Sequence, residues 1–104
     1  MTTELELIRS ARAGCARAFG ELVLPHHAAA CLLAEAMGAG EDTEDVVRAA
    51  VLHALRRAHT LRAGARFRPW LLAIVADLTR TLHRRHQRAA AAGGSASSVE
   101  RVAT

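Results

Sequence analysis

Four stretches of this chain place apolar residues at helical spacing, separated by glycine-rich or proline-containing breaks. Thr3 followed by Glu6 has the form of a capping box, in which each side chain satisfies a free backbone donor of the other. A first helix is therefore predicted to end near Gly14, with Leu5 and Ile8 inward and Leu7 flanking them. A second helical stretch, from about Cys15 to Met37, carries Phe19, Leu22, Val23, Leu32 and Leu33 as core candidates. Pro25 lacks an amide hydrogen and should bend or divide this stretch beside His26 and His27; Gly38-Ala39-Gly40 then stops it.

The third helix is expected to be capped by Asp42 or Thr43, with Glu44 and Asp45 in the first turn, where carboxylates favour the helix dipole. Val47, Ala50, Val51, Ala54, Leu55 and Ala58 recur at steps of three and four, so they should form its buried face and leave Arg48, Arg56 and Arg57 outside. Thr60 to Gly64 reads as a loop. A fourth helix should begin between Arg66 and Pro69, since proline is tolerated in a first turn, and run to about Arg88. Its inner stripe is Leu71, Ile74, Val75, Leu78 and Leu82, while Arg80, Arg84 and Arg88 share an outer edge with Arg85 beside them. From Ala89 the composition collapses to Ala, Gly and Ser, which reads as a flexible tail or a linker cut short after a domain spanning residues 1–88.

The apolar content is mostly Ala, Leu and Val, with Phe19, Phe67 and Trp70 the only aromatics, a composition suited to helices packed closely through small residues. The expected fold is all-α, one small bundle of about four helices. The net charge of +4 conceals two unlike halves: residues 1–47 hold three Arg against eight acidic residues, and residues 48–88 hold ten Arg against Asp77 alone. The basic half should attract polyanions in a salt-sensitive way, leaving the acidic half free to meet a basic protein surface. Cys15 and Cys31 lack CxxC spacing and read as free, buried thiols in a reducing compartment. The acidic N-terminus lacks the apolar run of a signal peptide and no stretch reads as membrane-spanning, so a cytoplasmic location is expected.

His83 and His86 place two imidazoles three residues apart, but Arg84 and Arg85 between them would repel a cation and no third ligand has suitable spacing. No metal or cofactor is expected. Nor does any Ser/His/Asp or Cys/His arrangement stand out, so an enzyme is not expected. Arginines at the start and outer edge of the fourth helix could instead contact phosphates through charge-assisted hydrogen bonds. Phe67 and Trp70 could stack on unpaired bases or pin the helix start in the core, and the core is favoured for Trp70.

Several segments, in order, resemble region 2 of the extracytoplasmic-function sigma factors of bacterial RNA polymerase. They are the short helix Glu4 to Gly14, the "AF.ELV" of Ala18 to Val23, the acidic helix start Asp42, Glu44 and Asp45, and the "FRPWLL.I" of Phe67 to Leu72 and Ile74. The resemblance implies that the third helix docks on the β′ clamp of core RNA polymerase, through Asp42, Asp45 and Arg48. It implies too that the loop and fourth helix take the melted −10 strand of promoter DNA through Arg62, Arg66, Arg68, Arg80, Arg84 and Arg85. Recognition of the −35 element would need a separate partner or a further domain.

The chain departs from the family pattern at Arg48, Ala49 and Val51, where Gln, an acidic residue and an aromatic are usual, at Asp77, where Asn is frequent, and at Thr81. His26 to Ala30 replace a segment usually rich in Arg and Tyr. An anionic Asp77 would oppose DNA unless an arginine such as Arg80 or Arg84 neutralised it. These departures support a second reading, a sigma-like module that holds the bundle shape but binds an anti-sigma factor, a regulator or a second copy of itself.

Overall fold

The computed structural model describes residues 2–62 and 64–92. Five α-helices are present among them: α1 (Glu4–Arg12), α2 (Ala16–Val23), α3 (His27–Ala36), α4 (Thr43–Arg56) and α5 (Phe67–Ala92). The predicted second stretch becomes α2 and α3, divided at Pro25 by a tight 3-10 turn, Leu24–His26. α1 packs on α2, while α3, α4 and α5 pack on one another. The all-α bundle is thus as expected, with α4 and α5 as the predicted third and fourth helices.

Local chemistry accounts for most of the boundaries, with some differences from expectation. Thr3 Oγ1 accepts from the Glu6 amide at 3.2 Å, but its hydroxyl also donates to Glu6 Oε1 at 3.1 Å, so the Glu6 carboxylate meets the cap's hydroxyl rather than its backbone. Gly14 and Gly38 follow α1 and α3 at φ values of 103° and 89°, a conformation that disfavours any residue with a Cβ. Neither Asp42 nor Thr43 caps α4 with its side chain. A 3-10 turn, Gly40–Asp42, runs straight into the helix, leaving Asp42 at φ −87° and ψ 1° rather than extended. Thr43 is buried, and its hydroxyl donates back to the Gly40 carbonyl at 2.8 Å. α5 continues to Ala92, past the expected end near Arg88; the rest of the predicted tail lies outside the described residues.

The core has two lobes. One gathers Ile8, Phe19, Leu22, Leu61, Phe67 and Leu71 from α1, α2, the connection after α4 and the start of α5; the other joins Ala30, Ala34, Val46, Val47, Ala50 and Val75 where α3, α4 and α5 meet. Val51 and Ile74, each partly buried, touch both lobes. The second lobe is built largely on alanine, which lets helix axes approach closely but buries little area per residue. That explains two corrections: Leu32 is 66% exposed although Ala30 and Ala34 are buried, and Leu55 is 39% exposed although Ala50 and Ala54 are buried. Leu5 is also exposed. Thr79 is fully buried in the α5 stripe, its hydroxyl donating to the Val75 carbonyl at 2.8 Å. The thiols differ from expectation too: Cys15 is exposed and Cys31 half-buried, both free, and Cys15 Sγ accepts weakly from the Ala18 amide at the start of α2. No helix among the described residues is long and apolar enough to cross a membrane.

Candidate functional site

The start of α5 is set by alternation. Arg66 and Arg68 are exposed, whereas Phe67 between them is wholly buried. The Phe67 ring meets Phe19 edge-on at a centroid distance of 5.7 Å, stacks against His26 at 6.0 Å and tilts against Trp70 at 5.7 Å. Phe67 therefore anchors the helix start, and Trp70, half-buried, packs on the same lobe. Leu61 is the matching anchor at the other end of the connection, with exposed Arg62 next to it. The Ala65 amide donates to the Arg62 carbonyl at 3.0 Å, closing a turn that holds Gly64 at φ 84°. Arg62, Arg66 and Arg68 are thus carried on a short segment pinned at both ends.

The remaining arginines of α5 stand apart from this group. Arg80 lies 12 residues beyond Arg68, roughly 18 Å along the axis and about 120° around it. Its guanidinium pairs with Asp77 at 2.7 Å, both side chains being more than half exposed. Arg84 donates to Thr81 Oγ1 at 3.2 Å, and that hydroxyl donates to the Asp77 carbonyl at 2.9 Å. The arginine that Asp77 would need beside it is Arg80, which pairs with it. Arg85 faces elsewhere: it lines a groove between α4 and α5 with Asp42, Asp45, Val46, Ala49, Leu78, Thr81 and Leu82. A residue expected on the nucleic-acid side therefore shares a groove with two expected on the protein side.

Asp45 and Arg48 are exposed on α4 and approach each other at 3.6 Å, a loose i,i+3 pair. Arg48 also borders a second groove, whose walls are Val23, His27, Glu44, Val47, Val51 and Leu52. Its rim carries Leu52, 49% exposed, and Leu24, 77% exposed, follows Val23 in the chain. Sequence reasoning missed this apolar side of α4. Leu52 lies opposite the buried Val46, Val47, Ala50 and Ala54 on a helical wheel, which is the signal that could have found it.

Two of the histidines contribute to the packing. His83 Nε2 donates to the Met37 carbonyl at 2.8 Å, tying α5 to the end of α3, and its ring lies 3.6 Å from where a Cβ on Gly38 would stand. His26 presents a buried Nδ1 that has no hydrogen-bond partner among the described residues, next to the stacked Phe67 ring. Among the described residues no three His, Cys, Asp or Glu side chains are grouped to hold a metal ion.

The arginine-bearing start of α5 packs on the lobe built with α1 and α2, while the acidic start of α4 lies beside Arg85, further along α5. The chain belongs to the sigma-70 region 2 family, whose model matches residues 26–89, from the turn before α3 almost to the end of α5. Sigma-70 region 2 is a domain of transcription initiation rather than a typical enzyme. No curated protein and no solved structure gives a significant match to the chain.

Proposed function

We propose that this protein acts as a sigma-factor region 2 of the extracytoplasmic-function kind, docking on the β′ clamp of core RNA polymerase through α4 and taking the −10 promoter strand on the segment from Arg62 to Arg68. The single observation that carries the reading is the buried Phe67 anchor, which presents Arg66 and Arg68 at the start of α5 within the family match, with Arg62 beside the Leu61 anchor of the same connection. Arg80 and Arg84 extend the basic surface along α5, and Asp42, Asp45 and Arg48 are the clamp contacts. Arg85 is better assigned to the Asp42 and Asp45 groove than to the strand. The "AF.ELV" segment in α2 and "FRPWLL.I" in α5 support the extracytoplasmic-function subtype, and recognition of the −35 element falls to another domain or partner. The setting is the bacterial cytoplasm.

The test is binding of a single-stranded −10 oligonucleotide at two salt concentrations. Binding that weakens as salt rises supports the reading, whereas no binding at low salt removes the DNA half of it. One observation favours a second reading, a sigma-like module that meets an anti-sigma factor or another regulator: the apolar Leu52 stands exposed in the groove that Arg48 borders, a position expected to be a polymerase contact. In that case the oligonucleotide fails to bind while a protein partner is retained.

A further inference from the structure

We propose that α4 is also a self-pairing surface, on which two copies of this chain associate antiparallel through the groove lined by Val23, His27, Val47 and Val51. Two features of α4 select a second copy as the occupant. Its outward pole carries Leu52, an apolar knob, beside an apolar groove that no side chain among the described residues fills. Its charges are graded, with Glu44 and Asp45 in the first turn and Arg56 in the last. Neither Glu44 nor Arg56 has an ion-pair partner among the described residues.

These features meet in one register. A twofold axis at the level of Ala50 sets Glu44 against the second copy's Arg56, and Arg48 against its Leu52. The groove's α4 wall runs from Glu44 to Leu52, so the incoming Leu52 enters near its midpoint while each Glu44–Arg56 pair closes one end. The Arg48 stem can lie over that leucine while its guanidinium stays with Asp45 of its own chain. Antiparallel helix dipoles also favour this arrangement. A parallel pairing would instead set Glu44 against Glu44 and Arg56 against Arg56. The inference rests on the proposed function only in that the same face would serve polymerase, so pairing would withhold that face from the clamp; the pairing itself is measurable with no polymerase present.

The experiment is sedimentation of the full chain over a concentration series at low salt, with variants checked for helical content. Wild type should move from monomer to dimer. Leu52→Glu should stay monomeric yet folded, because the site is half exposed. Glu44→Arg and Arg56→Glu should each weaken pairing roughly ten-fold, since each loses both symmetric ion pairs and sets like charges together. Mixing those two variants should restore pairing as a heterodimer. A wild type that stays monomeric throughout the series overturns the proposal, as does a mixture that recovers nothing. A monomeric wild type whose polymerase binding is abolished by Leu52→Glu would assign the groove to polymerase instead.

Discussion

Replacing Phe67 by alanine removes a side chain that is wholly buried and in ring contact with Phe19, His26 and Trp70. The forfeited transfer energy and the cavity left behind should cost about 3–5 kcal/mol. A domain of this size has a total stability of about 5–13 kcal/mol, so the variant should keep only a fraction of its margin. With a melting shift of about 4–8 °C per kcal/mol, thermal unfolding followed by circular dichroism should fall by at least roughly 12 °C. Trp70→Ala, at a half-buried site, should cost about half as much, and Arg66→Ala less than about 0.5 kcal/mol. The ordering matters more than the absolute values, because it separates the anchor from the groups it presents. If Phe67→Ala melted within a degree or two of wild type, the ring would not be fixing the helix start, and the argument for a presented trio of arginines would fail.

Four further outcomes follow from the same geometry. Asp77→Asn should change stability by less than about 1 kcal/mol, because its pair with Arg80 is exposed, yet should raise single-strand affinity and steepen the salt slope by about 0.7; an unchanged slope would place this edge away from the strand. Arg80→Ala combined with Arg84→Ala should flatten that slope by about 0.7 for each phosphate left without its arginine, measured by titration across salt concentrations. Gly64→Ala should cost about 1–2 kcal/mol through backbone strain alone, since φ is 84° and nothing stands within 4 Å of the added Cβ; no loss in urea unfolding would contradict the turn geometry. Thr79→Val should be close to neutral in the same urea measurement, because the Val75 carbonyl that accepts its hydroxyl has a second lone pair free for its helical bond.

The helices were legible because their signals are local. Pro25 divided its stretch and Arg66-Phe67-Arg68-Pro69 opened α5 from chain-neighbour chemistry that needs no tertiary partner. Burial was less legible where alanine does the packing, since hydrophobicity alone ranks Leu32 and Leu55 above Ala34 and Ala50, whereas close helix approach selects the smaller side chains. Thr79 was missed for the opposite reason: a hydroxyl satisfied by its own helix is free to be buried. Separation of the arginines into an anchored trio, an Asp77-linked edge and the Arg85 groove depends on how α5 lies against α4, which spacing along one helix does not encode. The missing side-chain cap on α4 likewise follows from the preceding 3-10 turn rather than from residue type.

The most direct test is retention of purified core RNA polymerase by the immobilised chain at low and at moderate salt, with Asp45→Arg and Arg48→Glu as paired variants. Wild type should hold polymerase, and each charge reversal should reduce retention while leaving the melting temperature nearly unchanged, because both side chains are at least 70% exposed. A wild-type chain that retains no polymerase even at low salt would contradict α4 as the clamp-docking helix.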